Sequence, residues 1–268
     1  MVILLVLVSW LSAFASAHAV KQTTPCQLSN YAAVEVINRA EGLRQSGAYS
    51  MARSLLKEAR PCVPEGHAAY PALLNNLAQI HKIIGPKREV EKLLRSAVDA
   101  WRGSPYYAHG LANLGDWHQS RRDWRRAEQL FREAVALQPE LGTHHNNLGW
   151  LLHKRGRIDE AERYYRRALE LYKGTGQSGA MQAWGNLGML LEQRKCDDEA
   201  KAAFERMREF SPVPADEKAR AIYLEAYANL LRRRQDSAAE AERVSAEAMR
   251  YRVRTAIRLS AAASAPAH

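Results

Sequence analysis

Along residues 144–171 the apolar positions keep a helical period. Leu148, Leu151 and Leu152 make one stripe, and after a polar break at Gly156 a second stripe runs through Ala161, Tyr165 and Ala168. The same skeleton stands thirty-four residues upstream as Leu114, Gly115, Ala127, Phe131 and Ala134. A later copy carries Trp184, Leu187, Gly188, Ala200, Phe204 and Pro212, and an earlier one Leu77, Ala78, Gly85, Leu94 and Ala97. The units run 71–104, 108–141, 142–175 and 181–214, and each predicts two amphipathic helices joined by a turn. Turns are marked by Gly85-Pro86, Gly156 and Asp197-Asp198, while Pro139 and Pro212 stop second helices. Within residues 20–66 only the second half of the pattern survives, in Gly47, Tyr49, Ala52, Leu56, Ala59 and Pro64. Residues 218–259 read as a degenerate capping hairpin and 260–268 as a disordered tail.

One hairpin cannot bury its own stripe, so neighbours must stack. The expected fold is all-α: a right-handed α-solenoid of five to six helix-turn-helix hairpins. The small residues Gly115, Gly149, Gly188, Ala127, Ala161 and Ala200 let paired helices approach, and Phe131, Tyr165 and Phe204 are expected to fill the gap between hairpins. The pattern resembles the tetratricopeptide repeat, and the segments "NNLG" and "EAERYYRRALEL" resemble its kinesin-light-chain type. The match runs over about residues 33–214 and is most specific in the three central units. The first unit departs from it, with Arg39 and Ala40 in place of Leu-Gly, and Val90 replaces the small residue of the second. The resemblance implies a noncatalytic protein that binds a peptide or partner segment along the concave surface lined by first helices.

One position inside those helices recurs. Asn38, Asn76, Asn113, Asn147, Asn186 and Asn229 stand where the skeleton has the residue before Leu-Gly. Asparagine is a poor interior helix residue, so its return needs a reason. Its amide can donate to and accept from the backbone of an extended guest, or it can bond the neighbouring helix and join repeats. Asn75, Asn146, Asp116 and Trp150 fall on the groove or its rim by helical spacing, with Trp150 as the apolar anchor. Trp124 and Trp184 take packing positions.

The chain has 268 residues, 47% hydrophobic and 25% charged, which fits a globular protein. Its formal charge of +10 suits anionic partners. Basic side chains gather at the ends of first helices: Lys82, His118, Lys154, Arg194-Lys195 and Arg232 to Arg234. Stacked, they predict a basic edge beside the groove, although helix C-termini favour cations in any case.

Residues 1–19 contain an apolar run ending in small residues and read as a signal peptide, so the protein is expected to be exported to a bacterial periplasm or secreted. Of three cysteines, Cys26 and Cys62 flank one predicted hairpin and are placed for a disulfide in an oxidising compartment, leaving Cys196 free. No HExxH, GxSxG, phosphate-loop or paired CxxC pattern occurs. His144, His145 and His153 read as surface histidines. No enzyme activity, metal or cofactor is expected. The expected partner is a protein or peptide with acidic character, rather than nucleic acid; contact with a membrane surface is compatible, integral insertion is not. The sequence thus predicts an exported adaptor, with a self-associating structural solenoid or a noncatalytic subunit of a membrane-associated complex as alternatives.

Overall fold

The computed structural model describes residues 26–173, 178–211, 213–234 and 238–264. The expected signal segment, Pro212 and the last four residues lie outside them. Among the described residues, twelve α-helices form six antiparallel hairpins: α1 Asn30–Gln45 with α2 Tyr49–Ala59, α3 Tyr70–Ile84 with α4 Lys87–Trp101, α5 Tyr107–Ser120 with α6 Trp124–Leu137, α7 Gly142–Lys154 with α8 Ile158–Leu171, α9 Ser178–Gln193 with α10 Asp197–Arg208, and α11 Glu217–Arg234 with α12 Ala238–Ser264. Helix α12 extends through 260–264, into the stretch expected as a disordered tail.

Turn chemistry explains the hairpins. Gly47 and Gly156 adopt φ of 86° and 75°, and Arg122 and Lys195 adopt 62° and 64°, each two residues ahead of a second helix. A left-handed residue reverses the chain there, at no steric cost for glycine and at a real one for arginine or lysine. Asp123 then caps α6 by accepting from the Arg126 amide at 3.3 Å, and Ser29 caps α1 by accepting from Ala32 at 3.2 Å.

Within each central hairpin, an aromatic ring of the second helix lies on the glycine of the first. A Cβ on Gly115 would stand 2.8 Å from Phe131, on Gly149 2.9 Å from Tyr165, and on Gly188 2.8 Å from Phe204. These rings therefore pack inside their own hairpins, not only in the gap between hairpins as the sequence predicts. The reason is that the missing Cβ opens a seat directly beneath the ring. All three rings, with Ala127, Ala161 and Ala200, are fully buried in one continuous core.

Each second helix touches the first helix of the next hairpin. First helices also touch one another, α1 with α3, α5 with α7, α7 with α9 and α9 with α11. Successive second helices make no contact of comparable extent among the described residues. First helices thus line the inner curve. The curve brings the two ends of the stack together: α12 touches α2, and the 3-10 turn Pro214–Asp216 touches α1. The Arg258 side chain lies where a Cβ on Gly47 would be only 2.8 Å away, and its guanidinium pairs with Glu217 at 2.5 Å.

Candidate concave binding surface

The six recurring asparagines occupy equivalent places on the inner helices but do not form one array of open amides. Asn113 Nδ2 donates to Asn75 Oδ1 at 2.8 Å, and Asn186 Nδ2 donates to Asn146 Oδ1 at 3.0 Å. Asn186 Oδ1 also accepts from the Tyr223 hydroxyl at 2.9 Å, so this buried amide joins three successive hairpins. Asn76 donates to its own helix at the Ala72 carbonyl, 3.0 Å away, and the exposed Asn229 accepts from Arg232 at 2.9 Å. Asn38 is exposed and Asn147 half-buried, and neither has a hydrogen-bond partner among the described residues. Asn75 and Asn146, expected on the groove, are buried as the acceptors of those bonds.

The basic helix ends are largely engaged by the neighbouring hairpin. Lys82 pairs with Asp116, thirty-four residues on. Arg155 and Arg157 both reach Glu128, the latter at 2.6 Å. Arg194 spans Asp159 at 3.0 Å and Glu162 at 2.6 Å, and Arg233 spans Glu192 at 3.1 Å and Asp197 at 2.8 Å. Adjoining hairpins carry acids where these first helices end in bases, Glu128, Asp159, Glu162 and Asp197 on second helices and Asp116 and Glu192 on first, and this register consumes much of the predicted basic edge. His118 is buried, with Nδ1 3.4 Å from Asp123 and Nε2 3.9 Å from Glu91; burial pushes its imidazole pKa down against the pull of both carboxylates. Lys154 remains exposed, its ammonium 5.0 Å from the centre of the Trp150 ring. Asn147, Trp150 and Lys154 lie three and four residues apart on α7, which puts them on one inner-facing side.

The histidines expected on the surface are mostly inside. Buried His144 contacts Gln138 Oε1 at 3.3 Å, and His145 donates to the Pro139 carbonyl at 2.8 Å. Burial, then the neighbouring His109 and His145, lower His144 to a pKa of about 4. Half-buried His153 bonds Gln193 of the next hairpin at 2.9 Å. Among the described residues, no group of three or more metal-ligating side chains is placed to hold an ion.

A cleft of about 730 Å³ opens between α1, the turn ahead of α3 and the α4–α5 turn. Val34, Ile37 and Asn38 of α1 form one wall, and Tyr70, Trp101 and Tyr106 the others. Its lining is mainly apolar, yet Tyr106 is 63% and Val34 48% exposed. The sequence reading missed this site except for Asn38. The signal lay in the "PYY" spacer at 105–107, which belongs to no repeat skeleton. The disulfide joins Cys26 to Cys62 with Cα atoms 4.5 Å apart and ties the lead-in to α1 against the end of α2. Leu28 strengthens that seam, donating to the Cys62 carbonyl at 3.0 Å and accepting from His67 Nε2 at 3.0 Å. Because His67 Nδ1 accepts from the Ala69 amide, Nε2 carries the proton. Cys196 is half-buried at the start of α10 and free.

Two models of the tetratricopeptide repeat match residues 106–174 and 155–214. No curated protein matches the sequence. Among solved structures, the fold is similar to the APC/C hetero-tetramer Cut9-Hcn1, at 18% identity and a TM-score of 0.68 over 86% of this chain; this chain spans 42% of that one. It is also similar to BtubC (BKLC) from P. vanneervenii, at 18% identity and a TM-score of 0.54 over 84% of this chain and 94% of that one. A putative kinesin light chain from Podosopora anserina with nearly identical TPR-like repeats matches at 17% identity and 0.50 over 65% and 92%. Residues 106–214 carry tetratricopeptide repeats, within an all-α solenoid of stacked hairpins.

Proposed function

We propose that this protein is an exported adaptor that holds an extended segment of a partner protein on its concave face, anchored by an apolar side chain in the N-terminal cleft. Folds of this kind generally mediate protein–protein interaction, and proteins built from these repeats are typically noncatalytic scaffolds. One observation carries the finer reading: a cleft roomy enough for a short stretch of peptide keeps large apolar residues open to solvent beside an unpaired amide, Asn38. Apolar walls with a few placed polar groups are what a specific binding pocket needs. Asn147, Trp150 and Lys154 offer a second contact further along the inner curve. The interhelix bonds favour a joining role for Asn113 and Asn186, and the ion pairs of the helix ends remove the reason to expect an acidic guest in the groove.

The test is selection from a random peptide library with residues 20–268. Selected peptides should share a large apolar anchor and lose binding by roughly tenfold or more in Tyr106→Ala combined with Val34→Glu. Both changes sit on exposed positions, so melting should hardly move. Unaltered binding to the double variant would overturn the cleft assignment. The disulfide and the apolar N-terminal run support export. Mass spectrometry of protein recovered from the periplasmic or secreted fraction should give a chain beginning at residue 18 or 20; recovery of the full-length chain from the cytoplasm alone would overturn it.

A further inference from the structure

The N-terminal cleft carries a single acid. Among the described residues that line it, Glu65 is the sole carboxylate, and there is no lysine or arginine. His67 spends both ring nitrogens inside the protein, on the Leu28 carbonyl and the Ala69 amide. Glu65 is exposed and has no hydrogen-bond or ion-pair partner among the described residues. In a chain of net charge +10 this sets it apart, because acids elsewhere are gathered by arginines of the next hairpin, Glu128 by Arg157 and Glu162 by Arg194, each at 2.6 Å.

The chain's own cations around the cleft are turned elsewhere. Arg102 leans on the Tyr107 ring at 5.9 Å and on Asp99 at 3.5 Å. Arg44 holds Glu41 at 2.6 Å, so the next acid along the inner side of α1, one turn past Asn38, is already neutralised. The turn that carries Glu65 is fixed. The His67 amide donates to the Pro64 carbonyl at 3.1 Å, with Gly66 at φ 94°, and the Cys62 disulfide holds the chain just ahead of it. A preset carboxylate thus joins a lining whose aromatic wall is Tyr70, Trp101 and Tyr106.

Three kinds of guest differ in what they gain there. An acidic segment meets like charge. A purely apolar one fills the walls and leaves Glu65 in water. A segment with arginine or lysine beside its anchor fills the same walls, lays the methylene stem of the cation along them, and brings the charged head to Glu65 and the exposed Tyr106 ring. Resting on the cleft assignment above, we propose that the cleft selects a partner segment in which a basic residue stands next to the large apolar anchor.

The probes are short flexible peptides with a leucine, phenylalanine or tryptophan anchor, flanked on both sides by arginine, by its neutral isostere citrulline, or by glutamate. Binding to the full chain is followed by fluorescence anisotropy at about 0.15 M salt, where the general field of the protein is screened beyond roughly 8 Å. The arginine peptide should bind roughly fivefold tighter than the citrulline peptide, as an exposed ion pair allows, and the glutamate peptide should be weakest. The net charge of +10 would rank them the other way, so this order identifies the local carboxylate. Glu65→Gln should cut the arginine preference by about threefold or more and leave citrulline binding and the melting temperature unchanged. Equal affinity for the arginine and citrulline peptides, with both lost in Tyr106→Ala, keeps the cleft as the site and overturns the basic guest. An arginine preference that Glu65→Gln leaves intact overturns it too. No binding by any peptide, or binding indifferent to Tyr106→Ala, overturns the cleft itself and the basic guest with it. A dimer that forms without peptide and is lost in Tyr106→Ala does the same, because it gives the cleft to a second copy of the chain.

Discussion

Tyr165 shows how strictly the repeat treats single positions. Its ring sits on Gly149, as Phe131 sits on Gly115 and Phe204 on Gly188, but its hydroxyl is buried without a partner among the described residues. An orphaned buried hydroxyl costs about 1–3 kcal/mol. Tyr165→Phe is therefore expected to keep the fold and raise the melting temperature, as calorimetry would show; a clear loss of stability would mean the hydroxyl has a partner. The left-handed turn residues make a similar case. Relief of about 1–2 kcal/mol of strain at Arg122 or Lys195 is offset by glycine's larger entropy loss of about 0.5–1 kcal/mol. Arg122→Gly and Lys195→Gly should each gain roughly 0.5–1 kcal/mol in denaturant unfolding. His144 gives a pH signature. Its folded pKa of about 4 lies below the ordinary 6.5, so the unfolded chain binds the proton more readily. Its contribution is complete above pH 6.5 and is lost as pH falls toward 4. His144→Gln should flatten the melting temperature over that interval, while a profile as steep as the parent's would place the effect on other groups.

At the scale of the helix, the paired amides and ion pairs act as seams between hairpins. Asn186→Ala should leave Asn146 and Tyr223 without their shared partner and destabilise the protein by about 1–3 kcal/mol, read from urea unfolding. An unchanged midpoint would return this asparagine to the open groove. Helix periodicity, turn positions and the hairpin count were legible in the sequence because each follows from local spacing. The use of each asparagine was not, because Asn75 and Asn146 sit one residue away from the recurring column and only the stagger between helices pairs them with it. Likewise Glu128, Asp159 and Glu162 read as ordinary second-helix acids until stacking sets them under Arg155, Arg157 and Arg194. The N-terminal cleft is built from α1, a turn and a spacer outside the repeat, and no periodic signal covers it.

For the molecule as a whole, solenoid stability is ordinarily a sum over adjacent repeats, and the end units loosen first. Here the first hairpin is closed by a disulfide whose reduction is expected to cost about 2–4 kcal/mol. Contact between α12 and α2 should carry part of that loss to the far end. Hydrogen exchange after reduction should accelerate in α12 as well as in α1 and α2, and Arg258→Ala should weaken that coupling. Acceleration confined to the first hairpin would show that the termini act independently. With its two ends in touch, the stack is less a ribbon than a coil shut upon itself, so any motion that widens its inner curve must first part the contact between Gly47 and Arg258.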